Sequence, residues 1–169
     1  MRLSRIDIAG LICVGLMLVA QDAYSDTWVD IHLGSKHMSS DGWYSYQDGE
    51  RVNHEWNERN LGIGVDHDIT HNVSALAGVF VNSFHILTYY AGFDLHTSRA
   101  KPIQVGVSVG PLKGYEDTIM PVKFMAQPNL VAEIGDARIK FGWLPGAILE
   151  EVTGEEHIDV LTLSVGFRF

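Results

Sequence analysis

From Ile158 to Phe169 apolar residues fall at every second position. Leu161, Leu163, Val165, Phe167 and Phe169 share one face of an extended strand, and Val160, Thr162, Ser164, Gly166 and Arg168 share the other. The same period recurs upstream. Val105, Val107 and Val109 alternate with Gln104, Gly106 and Ser108. Ala137, Ile139, Phe141 and Trp143 alternate with Arg138, Lys140 and Gly142. Tyr89, Ala91, Phe93 and Leu95 alternate with Tyr90, Gly92, Asp94 and His96. Weaker alternation runs through Val29, Ile31 and Leu33, through Leu61, Ile63 and Val65, and from Val73 to Val81. With a last, proline-interrupted stretch, the pattern predicts strands over 27–37, 58–68, 73–81, 87–96, 103–110, 119–134, 137–144 and 158–169.

The first 25 residues carry a different signal. Arg2 and Arg5 precede an apolar run from Ile8 to Ala20 that is shorter than the roughly 20 residues of a membrane-spanning helix. Ala23-Tyr24-Ser25 supplies small residues for a peptidase, so 1–25 is expected to be a cleaved signal peptide and 26–169 the mature domain. Cys13 lies in the removed segment, leaving no thiol for a disulfide. Composition narrows the class further. With 46% apolar residues in 169 and a mean hydropathy of +0.05, the chain is not a disordered one. Twelve Lys and Arg against 21 Asp and Glu leave a net charge of −9, the wrong sign for gripping nucleic acid.

Eight strands of about 9–11 residues fit an all-β, eight-stranded antiparallel transmembrane β-barrel. A soluble exported β-sandwich would share the alternation. Two features favour the barrel: the aromatic carboxy-terminal residue behind alternating apolar ones, and aromatics read as outward-facing near strand ends at Trp28, Tyr89, Trp143 and Phe169. With the amino terminus in the periplasm of a bacterial outer membrane, the long connections 38–57 and 145–157 are expected outside the cell. The turns 69–72, 97–102 and 135–136 are expected inside.

This topology gathers His37, Asn82 and Ser83 at the outer rim. A His able to take the proton of a Ser hydroxyl is the minimum for acyl transfer, and Asn82 could orient the imidazole. His67-Asp68-Ile69-Thr70-His71 has ligand-like residues but falls in a turn where its polar groups face water, so no metal site is expected. Inward parity places His32, His96, Asp94, Arg138 and Lys140 in the lumen, where opposite charges could pair. The acidic stretch from Asp41 to Glu58, with Trp43, Tyr44, Tyr46 and Trp56, reads as a loop whose aromatics pack at the membrane interface.

His37, the run Asn57-Glu58-Arg59-Asn60-Leu61-Gly62-Ile63-Gly64, then Phe80-Val81-Asn82-Ser83-Phe84 and Tyr90-Ala91-Gly92-Phe93 together resemble the PagP-type lipid A palmitoyltransferases. Pro128, Gly135, Trp143-Leu144-Pro145-Gly146 and the Gly166-Phe167-Arg168-Phe169 ending follow the same order, so the resemblance spans about 37–169. It implies an eight-stranded outer-membrane barrel that moves an acyl chain from phospholipid to lipid A, with His37, Asn82 and Ser83 catalytic. It also implies a lateral lipid gate at Pro128 and Pro145, where proline cannot donate a ladder hydrogen bond. Asp94 falls at the acyl-pocket floor, where the family has a small residue. Asn82 replaces an Asp, Asn60 stands at a proline position of a second gap, and the family's amino-terminal helix has no counterpart. Membrane lipids are the expected partners of a monomer without cofactor. The alternative is a non-enzymatic barrel whose extracellular loops bind a surface partner or alter envelope properties.

Overall fold

The protein is described by a computed structural model covering residues 26–38, 42–47, 50–97, 102–114, 122–146 and 158–169. The expected signal peptide, 1–25, lies outside the described residues, as do Asp41 and most of the 145–157 connection. Eight strands form the wall: β1 (Thr27–His37), β4 (Gly62–Thr70), β5 (Val73–Val81), β6 (Leu87–His96), β7 (Ile103–Lys113), β8 (Lys123–Ile134), β9 (Ala137–Leu144) and β10 (Val160–Arg168). Each pairs antiparallel with its neighbour, and β1 pairs with both β10 and β4, so the sheet closes into a barrel without an edge. Closure pairs each strand with a neighbour on both sides over most of its length, the condition for crossing lipid.

Thr27 and Phe169 meet at one end of the barrel, where the Phe169 amide donates to the Thr27 carbonyl at 2.9 Å. Short turns close this near end. Two of them hold two residues each, His71-Asn72 and Gly135-Asp136, and Gly135 takes a φ of 63° that suits glycine. The long connections lie at the opposite, far end. The first of them holds a structure the alternation did not predict, a two-stranded hairpin of β2 (Trp43–Gln47) and β3 (Glu50–His54). The side chains of Trp43, Tyr44 and Tyr46 lie outside the described set. Wall boundaries also shift: β4 starts at Gly62 rather than 58, the residues before it bonding to β1 and β5 through the Glu58 carbonyl and the Asn60 side chain instead of through the ladder, and β7 runs on to Lys113.

The barrel is polar inside and apolar outside. Among the described residues, fifteen polar or charged residues are buried against five apolar ones. On β6, Thr88 and Asp94 are 0% and 2% exposed, while Tyr89 and Phe93 are 51% and 50% exposed. Alternation with the apolar face outward is the pattern of a wall solvated by lipid.

One expected outward aromatic points the other way. Trp28 is fully buried, sharing inward parity with Asp30 and His32 on β1, and its ring lies under two guanidiniums, Arg138 at 4.7 Å and Arg168 at 5.6 Å. Since Val29 and Ile31 face outward, the pleat leaves Trp28 no other side. Asp68 is likewise not solvated: it is buried and accepts a 2.7 Å hydrogen bond from Ser74 Oγ, which also meets His96 Nε2 at 3.0 Å.

Two charged networks plug the middle of the lumen. Arg138 donates from Nε to Asp30 Oδ1 at 2.9 Å, and from Nη2 to Asp30 Oδ2 at 2.5 Å and Asp66 Oδ2 at 2.9 Å. This ties β9 to β1 and β4. Lys140 Nζ meets Asp94 Oδ2 at 2.9 Å, while Ser108 Oγ and Asn129 Nδ2 donate to Asp94 Oδ1 at 2.9 and 2.7 Å. The second network ties together β6, β7, β8 and β9.

Two substitutions test the inside-out arrangement. Phe141→Arg places a charge on the outward face of β9 and is expected to cost about 2–4 kcal/mol if the residue lies near the bilayer midplane. Arg138→Ala removes the guanidinium that pairs with buried Asp30 and Asp66 and is expected to cost about 3–5 kcal/mol. Urea unfolding in lipid vesicles reads both, and an unchanged midpoint for Arg138→Ala would remove the network from the account of stability.

Candidate functional site

Above the two networks the lumen opens into a cavity of about 110 Å³ that reaches the far rim. Its bottom is polar, formed by Asp30, Asp66, Ser108 and Lys140; its walls include Leu76, Phe80, Met125, Leu144 and Val160, and Ser83 lines it at the rim. Asp94 lies beneath, its charge already paired with Lys140, so the carboxylate expected at the pocket floor acts on the cavity through Lys140 and Ser108. Tyr90 crosses the lumen to reach His32 Nε2 at 2.8 Å. It can do so because Gly64 and Gly78, paired across β4 and β5, carry no side chain: a Cβ on either would fall 2.1 or 2.4 Å from the Tyr90 hydroxyl.

The cavity meets a break in the wall. The β8–β9 ladder ends at Asn129 and Gly142, although β8 continues to Lys123 against β7 and β9 continues to Leu144 against β10. Pro128 is the first β8 residue beyond the last pair, and its missing N–H leaves nothing to donate toward β9. Pro145 follows the last residue of β9. The two prolines expected at a gate thus flank the unpaired stretch, and Met125, Gln127, Gly142 and Leu144 line the cavity from its two lips. One side chain bridges the break: Gln127 Nε2 donates to Thr162 Oγ1 on β10 at 2.8 Å, passing over Gly142, whose Cβ would sit 2.4 Å from both groups. At the position of the family's second gap, where proline is replaced, Asn60 accepts from Ser35 Oγ on β1 and donates to the Val81 carbonyl on β5 at 2.9 Å.

At the rim, His37 and Ser83 are held by one connecting segment, Trp56-Asn57-Glu58. The His37 ring stacks on Trp56 at 4.4 Å with 5° between planes, and Trp56 meets Phe84 edge-on at 5.5 Å. The Asn57 amide donates to the Ser83 carbonyl at 3.0 Å, and Glu58 accepts from Lys36 Nζ at 2.8 Å and from the His37 amide at 3.4 Å. The Ser35 amide donates to the Glu58 carbonyl at 2.9 Å. No hydrogen bond joins the His37 ring to Ser83 among the described residues. Asn82 is fully buried and committed to backbone: its Oδ1 accepts from the Phe84 and Ile86 amides at 2.9 Å each, and its Nδ2 donates to the Gly114 carbonyl at 3.0 Å. It shapes the turn that presents Ser83, including His85 at a φ of 62°. In the sequence the 57–60 run marks only the resemblance; its polar residues Asn57, Glu58 and Asn60, next to a strand start, are the one sign of its role at the rim. Among the described residues no cluster of His, Cys, Asp and Glu is placed to hold a metal.

Charge at the rim follows from these contacts. Lys36 and Glu58 pair on the outward surface, which places this level, and His37 with it, above the apolar belt. The ammonium of Lys36, hydrogen-bonded to Glu58, holds that carboxyl below its ordinary value. Burial lowers the His37 imidazole to about 4, against an opposing pull from Glu58 and with a smaller push from Lys36. His37 is therefore neutral near pH 7, the form able to accept a proton.

No protein-family model and no curated protein sequence matches the chain. A solved structure described as "De novo design of transmembrane beta-barrels" is similar at a TM-score of 0.57 and 7% identity, covering 85% of this chain and 95% of that one. At that identity the likeness concerns the fold alone, a closed eight-stranded transmembrane barrel.

The His37 shift has a consequence for stability. Between the ordinary value of 6.5 and about 4, the unfolded chain binds a proton that the native imidazole does not. Native stability contributed by this site at neutral pH is lost as pH falls through that window. His37→Gln removes the titration, so wild type is expected to lose more stability than the variant between pH 7 and pH 4. Parallel urea titrations at the two pH values measure the difference, and equal losses would argue against a buried neutral His37.

Proposed function

We propose that this chain is a bacterial outer-membrane barrel that admits one acyl chain of a phospholipid into its upper lumen and transfers it to a hydroxyl of lipid A. The far end, with its long connections, then faces the cell exterior. The observation that carries the proposal is the coincidence of the cavity with the break between β8 and β9: an apolar-walled chamber beside an unpaired stretch of wall offers a lipid tail a lateral way in. Neither a metal nor a cofactor enters the reading, and the barrel works as a monomer.

In this reading Ser83 Oγ attacks the ester carbonyl of the phospholipid while His37 takes the hydroxyl proton. The proton passes to the departing lysophospholipid oxygen, leaving the acyl group on Ser83; a lipid A hydroxyl then attacks the acyl-serine ester, its proton passing through His37 to the departing serine oxygen. Asn82 supports the turn that carries Ser83. Its side chain is spent on three backbone partners, so it serves as scaffold. The polar floor made by Lys140, Ser108, Asp30 and Asp66 ends the apolar wall and limits the depth an acyl chain can reach.

A second reading draws support from the missing hydrogen bond between His37 and Ser83: a non-enzymatic barrel that binds a surface partner or alters the envelope, with Ser83 a loop residue. Mass spectrometry of lipid A from cells with and without the protein separates the two. Acyl transfer adds one acyl mass to lipid A, and Ser83→Ala or His37→Ala lowers the product by orders of magnitude while the folded barrel persists. Unmodified lipid A beside correctly folded wild-type barrel, with phospholipid supplied to the outer leaflet, would favour the second reading.

A further inference from the structure

The break beside the cavity is crossed on its inner side by one side chain. At the last β8–β9 pair, Asn129, Gly142 and Thr162 lie side by side on three consecutive strands. Gln127 stands one inward position farther up β8, past Pro128, and its amide runs over the lumen face of Gly142 to donate to Thr162 Oγ1 at 2.8 Å. Two strand spacings, about 10 Å, separate β8 from β10. Glutamine has the methylene that asparagine lacks for this reach. Glycine lets the arm pass, since a Cβ at 142 would collide with the Gln127 amide and with Thr162 Oγ1. The residue before a proline is held extended, which fixes the root of the arm. Along the inner face of β9, Leu144 lines the cavity on the rim side of this strap and Lys140 on its floor side. A lipid tail that enters between the lips and runs down toward the floor therefore meets the strap. A backbone ladder would close the stretch with several bonds that open together, whereas one neutral side-chain bond opens at modest cost.

We propose that Gln127 is the latch of this lateral opening: its bond to Thr162 ties β8 to β10 across β9 while the cavity is empty, and breaks to let a lipid tail past. The latch presupposes the lateral entry of lipid proposed above and adds the step that sets its rate. It does not require that acyl transfer follow.

Two substitutions break the bond from opposite ends. Gln127→Asn keeps the amide but falls short of β10, and Thr162→Val keeps the shape but has no acceptor. The folded barrel in detergent micelles, with diacyl phosphatidylethanolamine added, is followed by nuclear magnetic resonance. Exchange spectroscopy on the Met125 methyl group inside the cavity, identified by its loss in Met125→Leu, gives the rate of lipid entry. Hydrogen exchange of the β8 amides 124–127 gives the opening of the wall. Each variant should speed entry about three- to tenfold, the worth of one neutral hydrogen bond, and should quicken exchange on β8 without changing that of β5. Because both act through one bond, the double variant should be no faster than either single one. Entry at the wild-type rate in both variants would overturn the latch and leave lipid entry standing, as would single effects that multiply in the double variant. A Met125 methyl that responds to lipid in none of these proteins would overturn the entry of the tail itself, and with it the proposed function.

Discussion

Arg138 sets the plan of the lumen. Its guanidinium reaches from β9 to carboxylates on β1 and β4, across the seam where the first and last strands of the wall meet. A guanidinium shared by two buried aspartates is tolerated in a low-dielectric interior only with near-complete hydrogen bonding. The Trp28 ring beneath the guanidinium and the Lys140–Asp94 pair beside it complete the plug. Everything above this layer can be hollow because everything within it is filled. The cavity lies on the far-rim side of this layer, with charged groups at its bottom and Phe80, Met125, Leu144 and Val160 among its walls.

The wall above the plug is weakened at one place and reinforced at another by comparable means. Between β8 and β9 the ladder stops at Asn129 and Gly142, and a single Gln127 side chain spans the break to Thr162. Between β1 and β4 the strands also part near the rim, where β1 shifts register after His32, but Asn60 and the Glu58 carbonyl fill that space with hydrogen bonds. A proline on one side and an asparagine on the other make the difference. The first cannot donate to its neighbour, and the second donates and accepts across two strands.

The alternation of residues made the wall legible. With a period of two, Leu161 and Phe167 are outside once Ser164 and Gly166 are inside, and the same rule placed Asp94, Arg138 and Lys140 in the lumen. For Trp28 parity and the aromatic-girdle expectation disagree, and the pleat decides: Trp28 shares the inward face with Asp30. The hairpin of β2 and β3 escaped notice because it stands apart from the barrel sheet, in a connection whose pattern lacks a steady apolar face. At the site, the rim positions of His37 and Ser83 followed from topology. The stacking of His37 on Trp56 did not, since it depends on how a connection folds back over a strand end.

The sequence by itself determined the all-β class, the number of wall strands, the face that most wall residues present and the sorting of long and short connections between the two ends. These are local properties: the pleat fixes the side, and strand length fixes where the chain must turn. Only the tertiary structure decided which inward charges meet, where the ladder breaks and which residues join the rim. Each of those depends on the register and curvature of closure, which bring Arg138 against Asp30 across 108 positions of chain and leave β8 and β9 apart above Gly142. Alternation is blind to both, because sliding one strand by two residues along its neighbour preserves every face and changes every partner.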